Sequence, residues 1–160
     1  MKKHTLAVIV ENKPGVLTRV ATLFRRRGYN IDSLTVGTTE NPSISRMTIV
    51  VQGDDSVIEQ VTKQLYKLVD VIKIIDVTNE KAVDRELVLI KVKADNTVRA
   101  EIVQIVDIFR ARIVDIGRSS LIIEATGDST KIDAIEASLS PFGIMELVRT
   151  GKVSMVRGTK

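Results

Sequence analysis

The chain of 160 residues has no cysteine and no tryptophan, one histidine, three prolines and five aromatic rings. Lack of cysteine removes disulfides, thiolate nucleophiles and thiolate metal sites together. The lone histidine, His4, opens an alternating strand and reads as a structural or solvent-facing residue, not a catalytic one. Asp54, Asp55 and Glu59 have the spacing of a helix N-terminus, not of a metal-ligand loop. Neither GxxxxGK[ST] nor GxGxxG occurs. With no nucleophile, acid–base pair or metal set assembled, neither catalytic nor metal residues are expected, and the chain alone is not expected to be an enzyme. No run approaches the roughly 18 apolar residues of a membrane span. Met1-Lys2-Lys3-His4 leads into alternation, not into a continuous apolar stretch. A soluble, cytoplasmic protein without membrane association is therefore expected.

What is present is a 44% hydrophobic composition and a net charge of +4. A chain of this length can bury two small cores of roughly 75 residues each, a size that leans on a partner for stability. The positive balance raises nucleic acid as a partner, and Arg25, Arg26 and Arg27 form a cationic cluster. Those arginines close a helix at Gly28, where cations complement the dipole and glycine supplies a left-handed cap. Phe24, Tyr29, Tyr66, Phe109 and Phe142 form no paired stacking platform. Nucleic acid is not expected as a partner, though an RNA-binding ferredoxin-like protein stays open as a third reading.

Periodicity gives strand 4–11, helix 14–27, strand 30–39, strand 44–52, helix 55–67 and strand 70–77, then strand 85–94, helix 97–110, strands 112–117 and 120–126, helix 129–139 and strand 143–156 interrupted near Gly151. Each half is βαββαβ. The fold class expected is α+β, two ferredoxin-like domains, each a four-stranded antiparallel sheet with two helices on one face. The boundaries are 1–77, a linker at 78–83, and 84–160. Leu23-Phe24-Arg25-Arg26-Arg27 has an echo in Ile108-Phe109-Arg110-Ala111-Arg112, and Gly53-Asp54 has one in Gly127-Asp128. The free sheet face or edge favours a homodimer side by side through the first domain.

The turn between the first strand and helix is the most informative segment. Asn12, Pro14 and Gly15 stand where Leu6, Val8 and Val10 give way to Val16, Leu17, Val20, Leu23 and Phe24. Proline suits a first helical turn, glycine lets a bound group approach, and the unpaired amides beyond carry the positive end of the dipole. A small carboxylate fits there. A plain strand-to-helix connection is the alternative. The hairpin 37–45, with Arg46, reads as a solvated loop or as a contact surface for another protein.

Asn12-Lys13-Pro14-Gly15-Val16-Leu17, Arg26-Arg27-Gly28-Tyr29-Asn30-Ile31, Ser33-Leu34-Thr35-Val36 and Ser45-Arg46-Met47-Thr48-Ile49 resemble the ACT domain of the regulatory (small) subunit of acetohydroxyacid synthase, or acetolactate synthase. The runs 63–71, 85–92, 108–115 and 148–151 resemble the rest of that subunit, so the likeness covers nearly the whole chain. The resemblance implies effector-binding residues Asn12, Gly15, Val16, Leu17, Asn30 and Ile31. Amides of 15–17 would receive the carboxylate of a branched-chain amino acid, usually valine. Asn12 of one chain and the Asn30 backbone of the other would hold the ammonium, Ile31 with neighbouring apolar groups the side chain, and Gly37 would leave room. It also implies a large catalytic subunit as partner, activated by this chain and subject to feedback inhibition in valine, leucine and isoleucine synthesis. No cofactor is implied in this chain; thiamine diphosphate, Mg2+ and FAD belong to the catalytic subunit. A stand-alone ACT-type sensor of another enzyme or a transcription factor is the second reading. Every implied contact precedes residue 40, so loss of 78–160 is expected to leave effector binding intact.

Overall fold

The computed structural model describes residues 2–159. The first sheet is built from Lys3–Glu11 (β1), Ile31–Thr38 (β2), Ile44–Gln52 (β3) and Val71–Asp76 (β4), in the order β2-β3-β1-β4 with antiparallel neighbours. Val16–Arg27 (α1) and Asp55–Tyr66 (α2) cover one face. Strand alternation sends Leu6, Val8 and Val10 of β1 and Met47, Ile49 and Val51 of β3 to that face, where they meet Val16, Val20 and Phe24 of α1 and Ile58, Val61 and Leu65 of α2. Because β1 and β2 both run antiparallel to β3, they are parallel to each other. That relation decides where the site residues lie.

The second sheet follows the same plan. Ala82–Lys93 (β5), Arg112–Ile116 (β6), Ser120–Gly127 (β7) and Ile144–Arg149 (β8) run in the order β6-β7-β5-β8, with Arg99–Ile108 (α3) and Ser129–Leu139 (α4) packed on Val88, Ile90, Val92, Leu121 and Ile123. Two ferredoxin-like units are thus confirmed. A network closes the second one: Arg149 on β8 meets Glu86 at 3.3 Å and Asp133 at 2.7 Å, and Ser129 Oγ donates to Glu86 Oε2 at 2.6 Å. Burial lowers the pKa of Arg149, but hydrogen bonds to Asp133 and Glu86 outweigh it and hold the guanidinium above its usual value.

The division between units departs from the expected one. Residues 1–83 and 152–160 form one compact unit and Asp84–Gly151 the other. Thr78–Val83 is therefore part of the first unit, and the strand expected over 143–156 separates into β8 and Val153–Val156 (β9); β9 pairs with β5, so the second sheet has five strands where four were expected, yet its residues group with the first unit. Arg46 Nη2 donates to Ser154 O at 2.8 Å, Lys152 N to Ser33 Oγ at 3.4 Å, and Arg157 N to Lys81 O at 2.7 Å. Arg46 and Ser33 stand on the face of the first sheet away from the helices. So the final segment crosses the face that strand alternation leaves open, and a fragment ending at residue 77 would lack it.

One sequence echo is architectural and the other is not. Asp54 and Asp128 both cap their helices, accepting from Val57 N and Lys131 N. The helix ends are related differently: Tyr29 N bonds Phe24 O across left-handed Gly28, and Ala111 N bonds Val106 O across left-handed Arg110. Val106, not Phe109, is therefore the counterpart of Phe24. Arg110, at φ 55, occupies the glycine position of this cap. Releasing a left-handed non-glycine residue gains about 1–2 kcal/mol, and glycine's extra unfolded freedom returns about 0.5–1. Arg110→Gly should therefore stabilise the protein by roughly 0.5–1 kcal/mol, read as a higher melting temperature of the second unit.

Candidate effector site

The turn after β1 is held from two sides. Asn12 N donates to Ser43 O at 2.8 Å and Asn12 Nδ2 to Pro42 O at 3.0 Å, which fastens the turn to the hairpin before β3. Asn12 Oδ1 is left as an acceptor. The hairpin itself is tightly bonded, Asn41 Oδ1 accepting from Ser43 N and Oγ. On the other side Glu11 N donates to Asp70 O at 2.9 Å.

Helix α1 begins two residues later than periodicity suggested. Gly15 caps it in the left-handed region, φ 85 and ψ −6, so Pro14 lies in the turn ahead of the helix. No side chain caps α1 and no acid stands in its first turn. Val16 N turns back to Lys13 O at 3.4 Å, whereas the Gly15, Leu17 and Thr18 N–H groups have no acceptor among the described residues. The expected cradle of amides 15–17 becomes 15, 17 and 18. The other helices differ: α2 and α4 carry aspartate caps, and α3 has Glu101 in its first turn. Of the four α-helices among the described residues, α1 alone presents a dipole end without a carboxylate of its own on the helix, an arrangement that suits an anion.

Charge around the turn is balanced in pairs. Lys13 meets Glu11 at 2.9 Å, and the hydrogen bond and charge of Glu11 raise the lysine pKa. Arg19 reaches Asp70 through Nε at 2.8 Å and Nη2 at 2.7 Å, and the Asp70 side chain is only 8% exposed. Neither Arg19 nor Asp70 was singled out in the sequence. An acid inside the apolar run Leu68-Val69-Asp70-Val71 was the available signal.

Of the other implied residues, Val16 is buried in the core and offers its backbone alone. Leu17 is 45% exposed beside the turn. Asn30 is exposed just before β2, its carbonyl accepting from Gln52 N at 3.4 Å, and Ile31 packs against the core rim. Gly37 is exposed with open space beside it. Asn12 follows β1 and Asn30 precedes β2, and these strands are parallel. The two asparagines therefore lie at opposite ends of the sheet, roughly 25 Å apart along eight strand residues. One chain cannot bring them together. His4, by contrast, is buried with Nε2 on Gly53 O at 3.1 Å, a structural position. Among the described residues no three histidines or acids gather as a metal site, and no helix is long and apolar enough to cross a membrane.

Two βαββαβ units in tandem, the first with an uncapped helix start beside the turn after β1, define a tandem ferredoxin-like α+β protein. A family model described as "AHAS small subunit-like ACT domain" matches residues 6–73, and one described as "Small subunit of acetolactate synthase" matches residues 85–158. The chain belongs to the acetolactate synthase small-subunit family. It is 63% identical over 158 residues to the "Probable acetolactate synthase small subunit" of Archaeoglobus fulgidus, covering 99% of each chain. It is 54% identical to the acetolactate synthase small subunit of Mycolicibacterium smegmatis over 98% of this chain and 92% of that one. The crystal structure of the acetolactate synthase small subunit from Thermotoga maritima superposes with a TM-score of 0.93 at 46% identity over the whole of both chains.

Proposed function

We propose that the chain is a non-catalytic regulatory subunit that activates a large, thiamine-diphosphate-dependent acetolactate synthase subunit and transmits feedback inhibition by a branched-chain amino acid, valine in the first instance. Thiamine diphosphate, Mg2+ and FAD would be held by that partner. The observation that carries the effector reading is the uncapped start of α1 beside Asn12, combined with the parallel run of β1 and β2. Strand β2 is an edge of its sheet. If two copies pair antiparallel through β2, the start of one β2 lies beside the end of the other, which is the end of the sheet where Asn12 stands. Such a homodimer brings Asn12 of one chain to Asn30 of the second copy. The ligand's carboxylate then meets the free amides of α1, its ammonium meets Asn12 Oδ1 and the Asn30 backbone, and its side chain meets Ile31 and Leu17.

Regulation has a short route from this site. The turn that receives the ligand is bonded through Asn12 to the hairpin at Pro42 and Ser43, so occupancy and hairpin position are coupled. The hairpin is then a surface from which a catalytic subunit can sense the effector. The test is reconstitution. The purified chain with thiamine diphosphate, magnesium and pyruvate should form no acetolactate, should be at least a dimer at micromolar concentration, and should raise turnover when the large subunit is added. Valine should reverse that gain. Turnover by the chain alone, or no effect on the large subunit, contradicts the proposal. Co-purification with a different enzyme or a transcription factor would favour the stand-alone sensor.

A further inference from the structure

We infer that Arg19 is a carboxylate-recognising residue of the effector site and that Asp70 is the positioning residue which aims it; the inference rests on the effector reading above. Arg19 lies in the first turn of α1, and side chains there lean back toward the helix N-terminus. A cation in that place opposes the dipole. It is nonetheless fixed there by a buried acid, which takes Nε and Nη2 on one oxygen at 2.8 and 2.7 Å and bonds no amide of the helix. Asp70 is itself fixed, since its carbonyl accepts from Glu11 N where β1 ends.

This grip leaves Nη1 without an acceptor among the described residues. A Cβ added to Gly15 would stand 3.0 Å from Arg19 Nη1, so the guanidinium edge lies beside the capping residue, at the same helix end as the free Gly15, Leu17 and Thr18 amides. Nη1, the free amides and the positive helix end thus lie together at the start of α1, and Asp70 bonds none of those amides. A carboxylate satisfies the set, and a neutral amide, which brings donors of its own, does not.

The second unit supplies the contrast. Counting back from the left-handed residue that ends each helix, Arg19 is nine positions before Gly28 and Glu101 is nine positions before Arg110. Helix α3 therefore carries, at the matching position, the acid that its dipole favours, where α1 carries a base. In the second unit the helix provides its own carboxylate. In the first it is built to take one from outside.

The experiment compares valine with valinamide by calorimetry on the full-length protein. Arg19→Met alone leaves Asp70 buried and unpaired, so the working variant is Arg19→Met with Asp70→Asn, which removes both charges and is checked by its melting curve. Wild type should prefer valine strongly. The double variant should lose about ten- to hundredfold in valine affinity, the worth of one hydrogen bond to a charged group, while its weaker affinity for valinamide stays as in wild type. Asp70→Asn alone, with the guanidinium present but released, should fall between. A purely structural role would weaken both ligands equally or neither, and that outcome overturns the inference while leaving the effector site in place. Failure of wild type to bind any branched-chain amino acid would instead remove the effector reading itself.

Discussion

Gly15→Asp should abolish valine inhibition while the chain still stimulates the large subunit. The new carboxylate would stand at the helix N-terminus that the ligand's carboxylate needs, and its Cβ would be 3.0 Å from Arg19 Nη1, so it would also engage that guanidinium. Two like charges about 4 Å apart at an effective dielectric of 20 repel by about 4 kcal/mol, close to a thousandfold in affinity. Gly15 is left-handed, so every substitution strains the turn, but aspartate and asparagine tolerate that region better than most. Gly15→Asn is therefore the control of equal shape without charge. It should fold, melting at or slightly below the aspartate variant because it lacks the dipole and Arg19 attraction, and keep measurable inhibition. Valine titrations of the reconstituted enzyme read the difference, and equal loss in both variants would assign the effect to backbone strain.

The largest stability effect is expected at Arg149. Its guanidinium ties β8 to Glu86 on β5 and to Asp133 and Glu136 on α4, with Glu86 nearly buried. Arg149→Met leaves that carboxylate inside with only Ser129 as a direct hydrogen-bond partner. Breaking one half of a buried pair costs about 3 kcal/mol, which for a unit of this size is a fall of roughly 15 °C in its melting transition. Glu86→Leu combined with Arg149→Met removes the stranded charge and should recover much of the loss. Calorimetric scans of both variants test this. A double variant no more stable than the single one would mean that packing by the arginine stem, not the ion network, holds the sheet to α4. Valine affinity measured below the transition should be unchanged, because the proposed effector contacts lie in the first unit.

The order βαββαβ was legible because Leu6, Val8 and Val10 alternate while Val16, Val20 and Phe24 recur at helical spacing, and because Asp54, Asp128 and Gly28 carry cap chemistry that acts locally. What escaped was set by distance along the chain. Arg46 meeting Ser154, which returns the last segment to the first unit, joins residues with no local signal linking them. Asp70 under Arg19 is of the same kind: each charge is ordinary in its own window, and only the β1–β4 pairing brings the β4 approach under the α1 start. The later start of α1 has a different cause. Proline and glycine each suit a helix start, and the sequence did not say which would take the left-handed cap. The misplaced echo at Phe109 arose because Arg110 does at the end of α3 what Gly28 does at the end of α1, and arginine gives no sign of a left-handed residue.

The measurement that bears most directly on a shared effector site is complementation between two defective chains. Asn12→Ala and Ile31→Asp homodimers, each confirmed folded by its melting curve, should each fail to bind valine in calorimetry, because every site contains one lesion: the first lacks the Asn12 Oδ1 acceptor and the second sets a carboxylate against the ligand's apolar side chain. When the two are mixed and allowed to exchange, half the dimers carry one of each chain, and in these both lesions fall in one site and the other is intact. Valine binding should then return at about one site in four, with wild-type affinity. If Asn12 and Ile31 served a ligand within one chain, no mixture could restore a site, and absence of any recovered binding in dimers shown to have exchanged would contradict the account.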